Sequence, residues 1–203
     1  LNYETLISFV FATSVLAISP GPDNIYVLIQ SITNGKKFGL ATVAGLISGC
    51  LIHTTLVAFG VSAIIKKNET LFFVIKLLGA IYLIFLAYRV YKSNSKVTLS
   101  SVPKKTIVQL FKQGFVMNVL NPKVSLFFLA FFPGFLFSNT LSTVTQFYVL
   151  GFLFMLVSLV VFSLIAILSG SISKYLKENE RVSLTLKWLQ IIVFIGIAIF
   201  ILI

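Results

Sequence analysis

Residues 124–173 form a run of 50 positions without a single Asp, Glu, Lys or Arg. As one α-helix this run would be about 75 Å long at 1.5 Å per residue, more than twice the ~30 Å hydrocarbon core of a bilayer. It must therefore cross, turn and cross again. The turn falls where Ser138, Asn139 and Thr140 follow Pro133 and Gly134. Residues 38–65 form a second uncharged run. A soluble domain is not built from such segments: only 10% of the 203 residues are charged, against about a quarter in soluble domains, and the mean hydropathy is +1.05. Disorder is excluded as well, because 21 Phe among so many aliphatic residues would collapse.

What remains is an all-α integral membrane protein. At roughly 20 residues per span, six transmembrane helices are expected, at about residues 3–33, 38–65, 70–91, 106–137, 143–173 and 183–203. The last is short on its uncharged part, residues 188–203, so it is expected to begin near Val182 with Lys187 snorkelling toward headgroups. The N-terminus lacks the basic region of a cleavable signal, and the first segment is read as a retained span.

The net charge of +11 does not indicate a nucleic-acid partner, since the basic residues fall in short clusters between apolar runs. Their distribution is topological. Lys36, Lys37, Arg89, Lys92, Lys96, Lys104, Lys105, Lys112, Lys174, Lys177, Arg181 and Lys187 flank the odd-numbered loops, whereas the even side has Lys66 and Lys67. The positive-inside rule then makes the odd loops cytoplasmic, including loop 92–105, and puts both termini outside. Lys76 and Lys123 lie within apolar segments, Lys76 close enough to an end to snorkel.

Segments one and four share a feature. The first is interrupted by Ser19, Pro20, Gly21, Pro22, Asp23 and Asn24, the fourth by Asn121, Pro122 and Lys123. Proline removes a backbone donor and opens a helix locally, and in lipid such opened backbone persists only against protein or a water-lined cavity. The breaks are three spans apart. This spacing predicts a single transporter domain, 1–203, made of two inverted three-helix repeats: repeat one at about 1–92, the cytoplasmic loop at about 92–105, and repeat two at about 106–203. Secondary transporters are built this way, with their sites at paired broken helices.

Asp23, the sole aspartate, sits in the first break. A carboxylate inside a membrane helix is a functional-site candidate. Burial opposes its charge, while a nearby cation or half-helix amides favour it, a balance suited to carrying a proton. Its alternative role is to cap the half-helix that follows. Lys123 follows Pro122 as Asp23 follows Pro22, so a pseudo-two-fold axis would bring the opposite charges together near the centre, where Lys123 could also receive a substrate carboxylate. Otherwise Lys123 snorkels to the cytoplasmic interface. Asn24 and Asn121 offer amides to the same place, as ligands or as turn residues, and Pro20, Gly21, Pro22 and Pro122 shape the backbone. His53, the sole histidine, is a proton relay or hydrogen-bonded packing.

Gly45 and Gly49 form a GxxxG pair that permits close packing within the monomer or across a homodimer. Tyr82, Tyr88, Tyr91 and Trp188 are expected as interface anchors, and the Phe-rich stretch 127–137 as lipid-facing or core. Several enzymes are struck out by counting: one His cannot make HExxH and one Asp cannot make an aspartyl dyad. The lack of a Walker loop excludes transport driven by this chain's own ATP hydrolysis. Counting does not exclude a serine–histidine hydrolase, but no nucleophile elbow flags one. One cysteine, Cys50, excludes disulfides and dithiol chemistry within the chain. No cofactor and no metal is expected.

At these residues the sequence resembles a known family. The run Ser19 to Asn24, followed by Gly35, Gly39, Leu40, Gly45 and Gly49, resembles the first signature of the lysine-exporter (LysE/RhtB) family. Gly114 and Phe115 through Asn118, then Asn121, Pro122, Lys123 and Pro133, resembles the second. The resemblance spans nearly the whole chain. It implies a multi-pass exporter of amino acids or their derivatives in the bacterial cytoplasmic (inner) membrane, powered by the proton gradient. Its partners would be an amino-acid-like small molecule, protons and the lipid bilayer. The family's motif aspartate falls on Asp23, and its Asn-Pro-Lys on Asn121, Pro122 and Lys123. Two other classes stay open: an uncoupled channel, and a non-transporting membrane assembly factor.

Overall fold

The structure, a computed structural model, describes residues 1–19, 21–92, 105–172 and 180–202, without the side chains of residues 66–67 and 180–183. Pro20, most of loop 92–105, and Lys174 and Lys177 lie outside the described residues. The described chain is helical: α1 (Tyr3–Ile18), α2 (Pro22–Asn34), α3 (Lys36–Leu56), α4 (Ser62–Lys67), α5 (Glu69–Lys92), α6 (Ile107–Val119), α7 (Pro122–Phe131), α8 (Thr143–Ile167) and α9 (Glu180–Leu202). A π-helical turn, Val57–Val61, joins α3 to α4, and a 3-10 turn, Phe132–Phe135, ends α7.

Lys36–Ile65, Glu69–Lys92, Thr143–Ile167 and Leu184–Leu202 are each long and apolar enough to cross a bilayer. The pairs α1–α2 and α6–α7 pass the same test together, bent by 57° and 49°. Each bend leaves the second half running onward rather than back, so each pair reads as one broken span. The six expected segments correspond to these helices within a few residues, with α9 beginning at Glu180, two residues before Val182.

Local chemistry sets the ends. Asn2 accepts from the Thr5 amide at 3.1 Å and Ser142 from the Thr145 amide at 3.1 Å, satisfying first-turn donors. Thr106 and Gln109 cap α6 reciprocally, at 3.2 and 2.9 Å. Gly35, at φ 100°, holds the turn between α2 and α3 in a conformation that side chains avoid.

The core is centred on α3, which packs against α2, α6 and α8. Its crossing with α6 is close enough to exclude any side chain: a Cβ on Gly45 would lie 2.0 Å from the Phe111 carbonyl oxygen, and one on Gly114 2.4 Å from that of Thr42. The GxxxG pair is therefore spent inside the chain. The Phe-rich stretch also turns inward. Phe127, Phe128, Phe131 and Phe132 are almost fully buried and stack in pairs with ring centroids 4.3 and 4.1 Å apart. Helices α5 and α9 pack together and turn Leu78, Ile81, Ile192 and Ile199 outward. Tyr91 and Trp188 meet at the Arg89–Lys92 end of that pair, with centroids 6.2 Å apart.

Candidate functional site

Both breaks are built alike, with proline at the first position of the second half-helix. There its missing donor leaves no intrahelical bond unmade. In the first break, α1 ends at Ile18, and Asn24 Nδ2 donates at 2.7 Å to the Ala17 carbonyl, an acceptor left open by the break. Asn24 thus serves the turn. In the second break, Asn121 Oδ1 accepts from the Lys123 amide at 3.0 Å and caps α7.

The two breaks touch. Asn121 Nδ2 donates at 3.1 Å to Asp23 Oδ2, a bond between residues 98 positions apart. Asp23 is only 7% exposed, and its other oxygen, Oδ1, has no hydrogen-bond partner among the described residues. Lys123 points toward the first break rather than out to an interface: its Nζ lies 3.3 Å from where a Cβ on Gly21 would sit, and 5.1 Å from the Phe194 ring centroid. Among the described residues no ammonium or guanidinium nitrogen comes within 4.0 Å of the Asp23 carboxylate. The opposite charges share one neighbourhood without a direct ion pair, and Asn121 makes the contact across the breaks.

These groups line a cavity of about 40 Å³. Such a space admits about two or three waters and is too small for an amino acid. Gly21, Pro22, Asp23, Asn24, Asn121 and Lys123 all stand on its wall. Pro122 does not, and Pro20 lies outside the described residues. His53 stands behind the wall: Nε2 donates at 3.1 Å to the Asn118 carbonyl, and the ring lies 5.5 Å from that of Phe128.

For the rest of the lining, sequence reasoning named Asn118 only within the second signature and Cys50 only as a lone cysteine, and gave neither a place at the site. Asn118, Ser158 and Cys50 bring polar atoms, while Leu16, Phe154 and Phe162 bring apolar surface. Asn118 lies one turn before Asn121, a spacing that could have pointed to it; Ser158 carries no such signal. Among the described residues no three His, Cys, Asp or Glu side chains come together as metal ligands.

An all-helical membrane protein with a charged cavity between two broken spans has the architecture of a translocator. The chain belongs to the LysE type translocator family, whose model matches residues 14–203. It is a transporter, not an enzyme. It is similar to the leucine efflux protein of Klebsiella pneumoniae subsp. pneumoniae, at 31% identity over 98% of this chain and 93% of that one. It is also similar to the leucine efflux protein of Enterobacter sp. strain 638, at 28% over 98% and 93%, and to the homoserine/homoserine lactone efflux protein of Salmonella typhimurium, at 28% over 89% and 88%. No solved structure matches the chain.

Proposed function

We propose that this chain exports amino acids across the bacterial cytoplasmic membrane by proton-driven alternating access, with the site at the paired helix breaks. Export of amino acids is supported by the relatives, named for leucine and for homoserine efflux. The observation that carries the site is the Asn121–Asp23 bond, which ties one broken span to the other around the cavity. Asp23 is the proton carrier in this reading. Its charged form holds the Asn121 donor and feels Lys123; its neutral form gives up most of that attraction and loosens the joint between the halves. The cavity then opens to one side of the membrane.

An inverted repeat is supported by the packing. Exchanging the halves maps α3 onto α8 and α5 onto α9, and both of these pairs are in contact. It also maps the α3–α6 contact onto α8–α1, another observed contact, whereas the α2–α3 and α5–α7 contacts have no counterpart of comparable extent among the described residues.

The test loads cells with leucine- or homoserine-containing dipeptides and follows efflux with and without an uncoupler. Export should collapse with the uncoupler, and Asp23→Asn should reduce it to background while the protein still inserts. The amide keeps the shape and capping ability of Asp23 but cannot exchange a proton. Efflux that ignores the gradient would mean a channel. Full gradient-driven efflux by Asp23→Asn would leave Asp23 as a helix cap only.

A further inference from the structure

We propose that Asp23, Asn118 and Ser158 form the subsite that receives the α-ammonium group of the substrate, with Lys123 taking its carboxylate. This rests on the reading of the chain as an amino-acid exporter.

Three residues on the cavity wall hold buried polar atoms with no hydrogen-bond partner among the described residues: Asp23 Oδ1, Asn118 Oδ1 and Ser158 Oγ. The residues are 7%, 2% and 1% exposed and come from three helices, α2, α6 and α8. Buried polar atoms are nearly always satisfied, so three orphans around one cavity call for an occupant. All three can accept a hydrogen bond. A primary ammonium has three N–H donors and no acceptor, which matches the set in number and sense, and the carboxylate balances its charge. Asn118 Oδ1 is packed against Gly49, beside Cys50, so the amide must turn as the cavity widens to bring its oxygen to an arriving donor.

Lys123 answers the other end of a zwitterion. Its ammonium stands on the same wall, out of ion-pair contact with Asp23, so a carboxylate can reach it without breaking a salt bridge. The amides of Asn24 and Asn121 on the wall are already engaged, and Leu16, Ala17, Phe154 and Phe162 add apolar surface that suits an uncharged side chain. The cavity must widen to admit the molecule.

The test uses full-length protein in proteoliposomes with labelled leucine as the probe and its 2-hydroxy analogue, which lacks the ammonium, as competitor. In the unaltered protein, unlabelled leucine should compete and the hydroxy acid should compete far more weakly. Ser158→Ala and the near-isosteric Asn118→Leu should each raise the half-saturating leucine concentration about tenfold, as expected for a lost hydrogen bond to a charged group. Competition by the hydroxy acid should not change, so discrimination between the two should shrink. A merely structural role predicts otherwise, because Ser158→Ala removes an orphaned hydroxyl and should leave stability and export equal or better. Normal export with unaltered half-saturation and discrimination in Ser158→Ala overturns the subsite while amino-acid export stands, even if Asn118→Leu does not fold. No leucine or homoserine transport by the inserted, unaltered protein overturns the export reading, and this inference with it.

Discussion

Asn121 does two jobs with one side chain: its oxygen caps α7 and its nitrogen reaches Asp23. The jobs are separable. Asn121→Ser keeps a capping oxygen but cannot donate across the breaks. Thermal unfolding in detergent of Asn121→Ser, Asp23→Asn and the double variant should show that the double loses less than the sum of the singles. The shortfall should be about 1.5–3 kcal/mol, the range for a hydrogen bond to a charged group. Strict additivity would mean that the 3.1 Å contact contributes nothing to the joint. At this scale the sequence was legible where polarity was out of place: Asp23, Asn24, Asn121 and Lys123 interrupt apolar segments beside prolines, and the structure gathers all four. Ser158 was not legible, for a physical reason. Hydroxyls in membrane helices usually bond a carbonyl one turn back, as Ser14, Thr54 and Thr55 do at 2.8 Å. A serine that does not, and faces a cavity instead, looks the same in the sequence.

Among the elements, helix ends and breaks were written in caps and prolines, and the expected segments differ from the helices by only a few residues. The π-turn Val57–Val61 had no such mark, because no proline or polar cluster signals it. Inside and outside faces were also hidden: a helix that is apolar all round gives no periodicity to distinguish core from lipid. This left the Phe-rich stretch open until the packing showed it buried. Glycines, by contrast, mark closeness, and the α3–α6 crossing makes that testable. Gly45→Val and Gly114→Val place side chains on carbonyl oxygens of the facing backbone, which cannot rotate away. Each should cost at least about 1–3 kcal/mol, with a lower thermal midpoint and poor recovery from the membrane. Gly196→Ala is the control. Nothing lies within 4 Å of its added Cβ, and alanine is favoured over glycine within a helix by up to about 1 kcal/mol. A Gly114→Val protein as stable as Gly196→Ala would show that the two helices do not meet this closely.

For the whole molecule, charge sets the expectation for orientation. Basic residues at the start of α3, at the end of α5 and around the start of α6 favour the side of lower translocation cost, so the expectation to test is a cytoplasmic loop 92–105 with both termini outside. The structure adds a constraint on the other side. The Asn2 amide donates at 2.8 Å to the Phe137 carbonyl, so the N-terminus and the loop before α8 must share a face. Gln146 then closes that loop, accepting from the Phe137 and Ser138 amides at 2.7 and 2.9 Å and donating to the Ser138 and Leu141 carbonyls at 2.8 and 3.0 Å. Single cysteines at Ser95 and Asn139, in a Cys50→Ser background, test the arrangement. Cys50 is buried, so its replacement by the smaller hydroxyl removes background reactivity without exposing a new face. In intact cells a membrane-impermeant thiol reagent should label the Asn139→Cys protein and spare Ser95→Cys, which should react only after permeabilisation. The opposite pattern reverses the orientation while leaving the fold intact, since the Asn2–Phe137 bond holds either way up. Labelling of both sites in intact cells is the more damaging result. It would put the two loops on one face, and the broken spans would then turn back within the membrane instead of crossing it.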